Sequence, residues 1–278
     1  MARTSRAREM NPIVLRDLRV ARAEDITPSM RRITLVGEQL GAHVAHGVEF
    51  PGFVSAGFDD SLRMIFPDPA TGQRPCPTRG ADGKLEWTEE AKSLYRAYTV
   101  RSFNAEAGEL VVDFARHGHG LAEDWSAHAQ PGDPVYIAGP KGSSALPTHT
   151  DWLLLAGDET ALPAMGRAVE SLPSNHPAIA FIEVPTEADV QDLRHGDNVD
   201  LRWVIRERGG DFVAEVLQFF DATPDGPASA KRPHGVPFLW AAGEAERLKP
   251  LRQLAKDKHI PPEHVQITGY WRAQQAAD

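Results

Sequence analysis

The rhythm of this sequence changes once, near residue 150, and that change constrains the fold more than any other feature. Before it, short β-favouring runs are separated by Gly, Pro and Asp clusters: 32–36, 62–66, 97–101, 110–114 and 134–138. Many short strands with turn residues between them fold as an antiparallel sandwich or barrel. After it, apolar runs of strand length at 152–156, 178–184, 199–205, 238–242 and about 265–268 alternate with helical stretches at 161–172, about 187–193, 212–220 and 244–258. Such βαβ alternation gives a doubly wound, mostly parallel α/β sheet with helices on both faces. The Pro/Thr/His-rich connector 147–151 marks the boundary, so the expected domains are 1–148 and 149–278. Two domains is also what 278 residues predict at roughly 150 residues each. Residues 67–92 are polar, rich in Pro and Gly and aperiodic, and are expected to form a long connection that is either a functional lid or disordered.

Composition narrows the function classes. Hydrophobic residues at 41% and charged residues at 25% are enough for a core and too balanced for a disordered chain. The formal charge of −9 argues against a general nucleic-acid binder, because neutralising phosphates needs net or clustered positive charge. An anionic ligand would have to meet a local basic patch. A lone cysteine, Cys76, excludes an intramolecular disulfide or a multi-cysteine metal site and fits a reducing compartment. The opening segment through Leu18 holds no apolar stretch long enough for a signal peptide or a membrane span, so a soluble cytoplasmic protein is expected.

Three clusters could carry chemistry. An open parallel sheet binds ligands beyond the carboxyl ends of its strands, and the first strand-to-helix turn is Gly157-Asp158-Glu159-Thr160-Ala161-Leu162-Pro163. There Asp158 or Thr160 is placed to cap the helix and Pro163 to occupy its first turn, leaving backbone N–H groups for a phosphate. The Gly-x-Gly-x-x-Gly fingerprint is absent, and an ordinary capped helix would show the same turn. In the second cluster, Arg96-Ala97-Tyr98-Thr99, an extended chain puts the guanidinium and the phenol on one face. That pairing suits an anion and a flat ring, with Thr99 offering a hydrogen bond, although cross-strand Arg–Tyr pairs are common in β proteins. The third cluster runs Arg116-His117-Gly118-His119-Gly120-Leu121-Ala122-Glu123-Asp124-Trp125, where glycines and a helix start could receive a pyrophosphate. His117 and His119 lack acidic or cysteine partners at ligand spacing, so no metal site is expected. Ser143-Ser144 has no nucleophile-elbow context.

Taken in order, Arg-x-Tyr-Thr, His-Gly-x-Gly-Leu-Ala, Pro131-Gly132-Asp133, Gly139-Pro140-Lys141-Gly142, the turn 156–163, Ala241-Ala242-Gly243-Glu244 and Gly269-Tyr270-Trp271-Arg272 resemble the siderophore-interacting protein family. These are flavin-dependent ferric-siderophore reductases within the ferredoxin-reductase-like superfamily. The resemblance spans about 18–272. It implies an N-terminal FAD-binding antiparallel β-barrel and a C-terminal NAD(P)-binding-like domain. By that resemblance Arg96 holds the FAD pyrophosphate, Tyr98 stacks on the isoalloxazine and Thr99 lies near its reactive edge, with Val100 also among the cofactor residues. His117, Gly118, Gly120, Leu121 and Ala122 wrap the pyrophosphate and adenine side, while Trp125 packs. Asp158, Glu159, Thr160 and Ala161, with Ala242, Gly243 and Glu244, seat the pyridine nucleotide. The resemblance implies that a hydride passes to the flavin, that electrons pass singly to a ferric siderophore, and that ferrous iron, held less tightly by hard oxygen donors, is released. Arg63 stands where the family's motif resembles Asp-Asp-x-Val-Lys, and with Lys141 and Arg272 it is expected to dock an anionic chelate. The family's Tyr-Trp-Arg-x-Gly ending has Gln274 in place of its glycine.

The donor stays open. Glu183, Glu187 and Asp189 after the second strand lean toward NADH, Arg202, Arg206 and Arg208 toward NADPH, and some family members use ferredoxin. Two rivals stand beside this reading: a general flavin or ferredoxin-type oxidoreductase, and a non-catalytic ferric-siderophore binding protein. Neither a nucleic-acid partner nor a membrane is expected.

Overall fold

The structure, a computed structural model, describes residues 5–45, 47–80, 85–116, 118, 120–222 and 232–273. The chain forms two compact units, one over Ala7–Ala145 and the other from Leu146 onward together with Ser5 and Arg6. Arg6 is tied there by a 2.9 Å hydrogen bond from Nη1 to the Gln266 side chain. None of the described helices is long and apolar enough to cross a membrane.

The first unit contains β1 (Arg8–Met10), β2 (Leu15–Thr27), β3 (Met30–Val36), β4 (His43–Ala45), β5 (Val48–Phe50), β6 (Ser61–Ile65), β7 (Thr78–Arg79), β8 (Leu85–Glu86), α1 (Glu89–Ser93), β9 (Tyr95–Thr99), β10 (Ser102–Asn104), β11 (Glu109–Ala115), α2 (Leu121–His128), β12 (Pro134–Ala138) and β13 (Gly142–Ser144). Seven strands make an antiparallel sheet in the order β10-β11-β3-β2-β12-β6-β9. It curls like a barrel: beyond β9, Arg101 N donates to Val111 O on β11 at 2.9 Å, and the Tyr98 ring lies 4.2 Å from that of Phe114. The enclosed core is alternate-residue apolar, with Leu18, Val20, Ile33, Leu35, Leu62, Met64, Val112 and Phe114 all buried.

Residues 67–92 are not a featureless connection. They contain the β7–β8 pair and α1, which Thr88 caps by accepting from Ala91 N at 3.1 Å. Arginine–aromatic contacts fasten the segment, with Arg74 4.0 Å from the centre of the Tyr136 ring and Arg79 4.8 Å from that of Phe50.

The second unit is built from β14 (Trp152–Gly157), α3 (Leu162–Ser171), β15 (Ala178–Val184), β16 (Val199–Ile205), α4 (Phe212–Asp221), β17 (Pro237–Glu244), α5 (Lys249–Asp257) and β18 (Val265–Trp271). All five strands are parallel, in the order β16-β15-β14-β17-β18. The order reverses at β14, which places the crevice of an open α/β sheet at the carboxyl ends of β14 and β17. β14, β15 and β17 are buried along their whole length, as strands covered on both faces must be.

Two expected helices shrink for local reasons. At 187–193 only a single 3₁₀ turn, Glu187–Asp189, forms, because the Asp189 carboxylate accepts from Thr186 N and Oγ1 and closes the turn before Val190 extends. The helix expected over 244–258 begins at Lys249. Glu244 still belongs to β17 and accepts from Glu246 N and Arg247 N at 2.7 and 2.8 Å, which turns the chain before Pro250 opens α5.

Candidate functional site

In the first unit Tyr98 stands between the Arg96 and glycine clusters: the charges of Arg96 and Glu123 both act on its phenol, and Glu123 accepts from Gly118 N. Register pairs Leu62 with Tyr98 and Met64 with Arg96, so both residues share the face of the buried Leu62 and Met64. Tyr98 packs its ring edge-on to Phe66 and against Phe114, and burial pushes its phenol pKa up, opposed by the nearby Arg96 charge and reinforced by Glu123. It therefore acts as a neutral, apolar platform with a polar tip. Arg96 is exposed; its Nη1 donates to Ser93 O and Tyr95 O, both at 2.8 Å, which steadies the guanidinium at the α1–β9 junction. Thr99 is buried beside Ser61 on the opposite face of β9, and buried Val100 donates its N–H to Asp60 O at 2.9 Å.

α2 starts at Gly120 and, among the described residues, no side chain caps the leading N–H groups at Leu121 and Ala122. Gly118 and Gly120 have φ of 94° and 117°, and a Cβ on either would meet nothing within 4 Å, so the backbone there borders open space that only glycine's conformation provides. Glu123, not singled out from sequence, reaches back to accept from Gly118 N at 2.7 Å and fixes the loop. Its signal was only a carboxylate in the first helical turn. Trp125 packs between Phe66 and Phe114, as expected from sequence. His117 and His119 lie outside the described residues. Exposed guanidinium, uncapped helix start and half-buried phenol are a donor set that fits a flat group carrying phosphates.

The expected docking cations occupy other places. Arg63 on β6 pairs with Ala138 at the end of β12, and Lys141 lies three residues later in the turn before β13; both are exposed. Asp60 anchors this region, buried and accepting from Ser143 Oγ at 2.6 Å, Ser55 Oγ at 3.0 Å and Gly57 N at 3.0 Å. Arg63 lies on the opposite face of β6–β9 from Arg96 and Tyr98. Arg272 is exposed at the end of the second unit, and Gln274 lies outside the described residues.

At the carboxyl edge of the parallel sheet the polar groups satisfy one another. Contrary to expectation, neither Asp158 nor Thr160 caps α3; Ala161 stands at the N-cap without a side-chain bond. Asp158 is fully buried and accepts instead from Thr160 N and Oγ1, from Glu244 N and from the Trp271 indole, joining the ends of β14, β17 and β18. Gly243 lies against it, where a Cβ would come within 2.5 Å of the Asp158 carboxylate. Glu183, also fully buried, accepts from Arg247 Nη1 and Nη2 at 2.8 and 2.6 Å, Arg206 Nε at 2.7 Å and Phe212 N at 3.0 Å. Burial raises its pKa, but these donors together outweigh it and hold the carboxyl below its ordinary value. Arg206 also forks Glu159. Glu187 pairs with Arg208, Asp189 is consumed by Thr186, and Arg202 pairs with Asp200 over Phe181 and Phe219.

A curled antiparallel sheet with a glycine-lined helix start, followed by a five-stranded parallel sheet, is the two-unit architecture of the ferredoxin-reductase-like fold. Residues 19–144 match the siderophore-interacting FAD-binding domain and residues 150–274 the siderophore-interacting protein description. The chain is 31% identical to an NADPH-dependent ferric-chelate reductase of Escherichia coli, over 96% of each chain. It is 28% identical to a ferric vibriobactin reductase of Vibrio cholerae over 95% of this chain and 92% of the relative. The crystal structure of a siderophore utilization protein from T. fusca superposes with a TM-score of 0.82 at 33% identity, covering 98% of both chains. The chain belongs to the siderophore-interacting protein family.

Proposed function

We propose that this protein carries electrons from NADPH or NADH to a ferric siderophore through FAD and releases ferrous iron. Bound FAD supplies the conversion between a two-electron hydride donor and a one-electron metal acceptor. Each nicotinamide oxidised thus reduces two ferric chelates and releases one proton. The observation that carries the reading is the convergence of exposed Arg96, half-buried Tyr98 and the open, uncapped start of α2 in one unit of a chain whose family match includes both units.

In this reading Arg96 binds the pyrophosphate, Tyr98 covers one face of the flat ring, and Thr99 and Val100 shape the end of the strand beside it. Gly118, Gly120, Leu121 and Ala122 present backbone to the phosphates, and His117, next to Gly118 in sequence, is assigned to the same ligand. Asp158, Glu159, Thr160, Ala161, Gly243 and Glu244 form the nucleotide seat, and Arg63, Lys141 and Arg272 supply positive charge for the chelate. No side-chain acid or base is needed at the iron.

For the donor, NADPH is favoured. The carboxylate that would read a ribose 2′-OH, Glu183, has both oxygens engaged by Arg206, Arg247 and Phe212 N, while Arg206 stays 41% exposed at the sheet edge, where it can exchange Glu159 for a 2′-phosphate. This reverses the lean toward NADH drawn from Glu183, Glu187 and Asp189. The test is an absorbance spectrum of the purified protein, followed anaerobically by NADPH or NADH and then a ferric siderophore. Flavin bands that bleach faster with NADPH and return on chelate addition are expected. Failure to take up added FAD would overturn the reading in favour of a binding protein; flavin reduction without chelate turnover would favour a general flavin reductase.

A further inference from the structure

The segment between β6 and β9 returns an indole onto Arg63. Arg63 pairs with Ala97 across the β6–β9 ladder, which puts Tyr95 on its diagonal, and Trp87 comes over from the stretch just before α1. The Arg63 guanidinium carbon lies 5.0 Å from the centre of the Trp87 ring and 5.1 Å from that of Tyr95, and the two rings are 5.2 Å apart. Among the described residues this exposed guanidinium makes no hydrogen bond and no ion pair, unlike Arg22, Arg32, Arg206 and Arg247, which all fork carboxylates. The two rings stand at 61° to each other and border the guanidinium on two sides, which leaves N–H groups elsewhere on its rim for an anion. A lysine here would still meet the rings but would lack the planar fork that grips an anion through two N–H groups.

We infer that Trp87, Arg63 and Tyr95 form a cation–aromatic seat selective for aryl, polyanionic ferric chelates of the catecholate class over aliphatic trihydroxamates. The inference rests on the ferric-chelate reading above. A ferric tricatecholate brings negative charge to the guanidinium edge and aryl rings to the indole and phenol; a ferric trihydroxamate has an uncharged iron centre and no aryl ring, so it gains neither contact. Trp87 and Tyr95 both fix Arg63 and offer their rings to the chelate's aryl groups.

The test compares FAD-loaded wild type, Trp87→Ala, Trp87→Phe and Arg63→Lys with NADPH and two probes, ferric enterobactin as the tricatecholate and ferric desferrioxamine B as the trihydroxamate. Trp87→Ala should raise the apparent KM for the tricatecholate about five- to thirty-fold, the range a cation–aromatic contact supplies. Its kcat, and the KM for the trihydroxamate, should stay within about two-fold. Trp87→Phe should restore most of the loss, and Arg63→Lys should reproduce it even if Trp87→Ala fails to hold FAD. Equal shifts for both probes, or none, overturn the seat while leaving chelate reduction standing. Wild type that is reduced by NADPH yet reduces neither probe overturns the underlying reading.

Discussion

The two candidate binding regions solve opposite problems. On the barrel-like sheet, Arg96 and Arg63 are exposed cations steadied by carbonyls or rings, and Gly118 and Gly120 border open space. At the edge of the parallel sheet, by contrast, Asp158, Glu183 and Glu244 are buried carboxylates whose oxygens are already engaged by neighbouring strands, arginines and turns. The difference teaches that the first region is arranged to add a ligand's anions to cations that, among the described residues, have no carboxylate partner, whereas a nucleotide bound at the second would have to exchange existing ion pairs. A ligand that stays can rely on the first arrangement; one that must come and go is suited by the second, where competing internal pairs limit affinity.

The strongest way to break that contrast is to remove the centre of the second network. Glu183→Ala leaves the Arg206 and Arg247 guanidinium groups and Phe212 N–H without their shared acceptor. Deleting one partner of a buried pair typically costs 3–5 kcal/mol, and because the arginines are partly exposed a loss of about 3 kcal/mol is expected in denaturant unfolding. A loss below about 0.5 kcal/mol would show that the network is ornamental and the two regions are alike.

Next in size is the barrel side. If Arg96 holds the FAD pyrophosphate as proposed, Arg96→Ala should weaken FAD binding by about ten- to a hundred-fold in a flavin titration, with little effect on the unfolding midpoint because Arg96 is exposed. Tyr98→Ala should combine weaker FAD binding with lost packing against Phe114, and Tyr98→Phe should keep both. If Arg96→Ala destabilises the fold as much as it weakens FAD, the residue is a structural clamp on Ser93 and Tyr95 and not a ligand contact.

How far the sequence carries can be judged from particular elements. β3, β11, β12, β15 and β16 are legible because their apolar spacing is uninterrupted. β2, the longest strand, is not: Arg16, Asp17, Arg19, Arg22, Glu24 and Asp25 break its apolar pattern, and even buried Arg16 is inward-facing, its charge accommodated by the carbonyls of Gln39, Val14 and Pro51 with burial lowering its pKa to about 10. Of the site, Arg96, Tyr98 and the glycines are legible as local motifs, since each depends on spacing within a few residues. The Arg63–Trp87–Tyr95 cluster and the Glu183–Arg206–Arg247 network are not, because they form only when distant segments return to one another.

The smallest expected effect concerns a single proton. His176 is buried in the second unit, and desolvation, aided by nearby His149 and opposed by Asp151, lowers its pKa below the ordinary histidine value. A histidine whose folded pKa is lowered binds its proton more readily when unfolded, so its contribution to stability is full above about pH 6.5 and declines as pH falls from there toward the folded pKa. Glu183 and Glu244, with folded pKa values below ordinary, stabilise above the ordinary carboxylate pKa and lose that contribution as pH falls through their folded values. The second unit therefore meets acid in two windows, the first carried by His176. Arg16 adds nothing to the first unit there, because it remains protonated in both states until alkaline pH. Hydrogen exchange resolved by peptide should show β14 and β15 losing protection between pH 7 and pH 5 before β3 and β11 do, and His176→Gln should delay that loss to the carboxylate window. Parallel loss in both sheets would mean that acid acts on the chain as a whole, and the contrast between an open and a self-paired region would then have no bearing on stability.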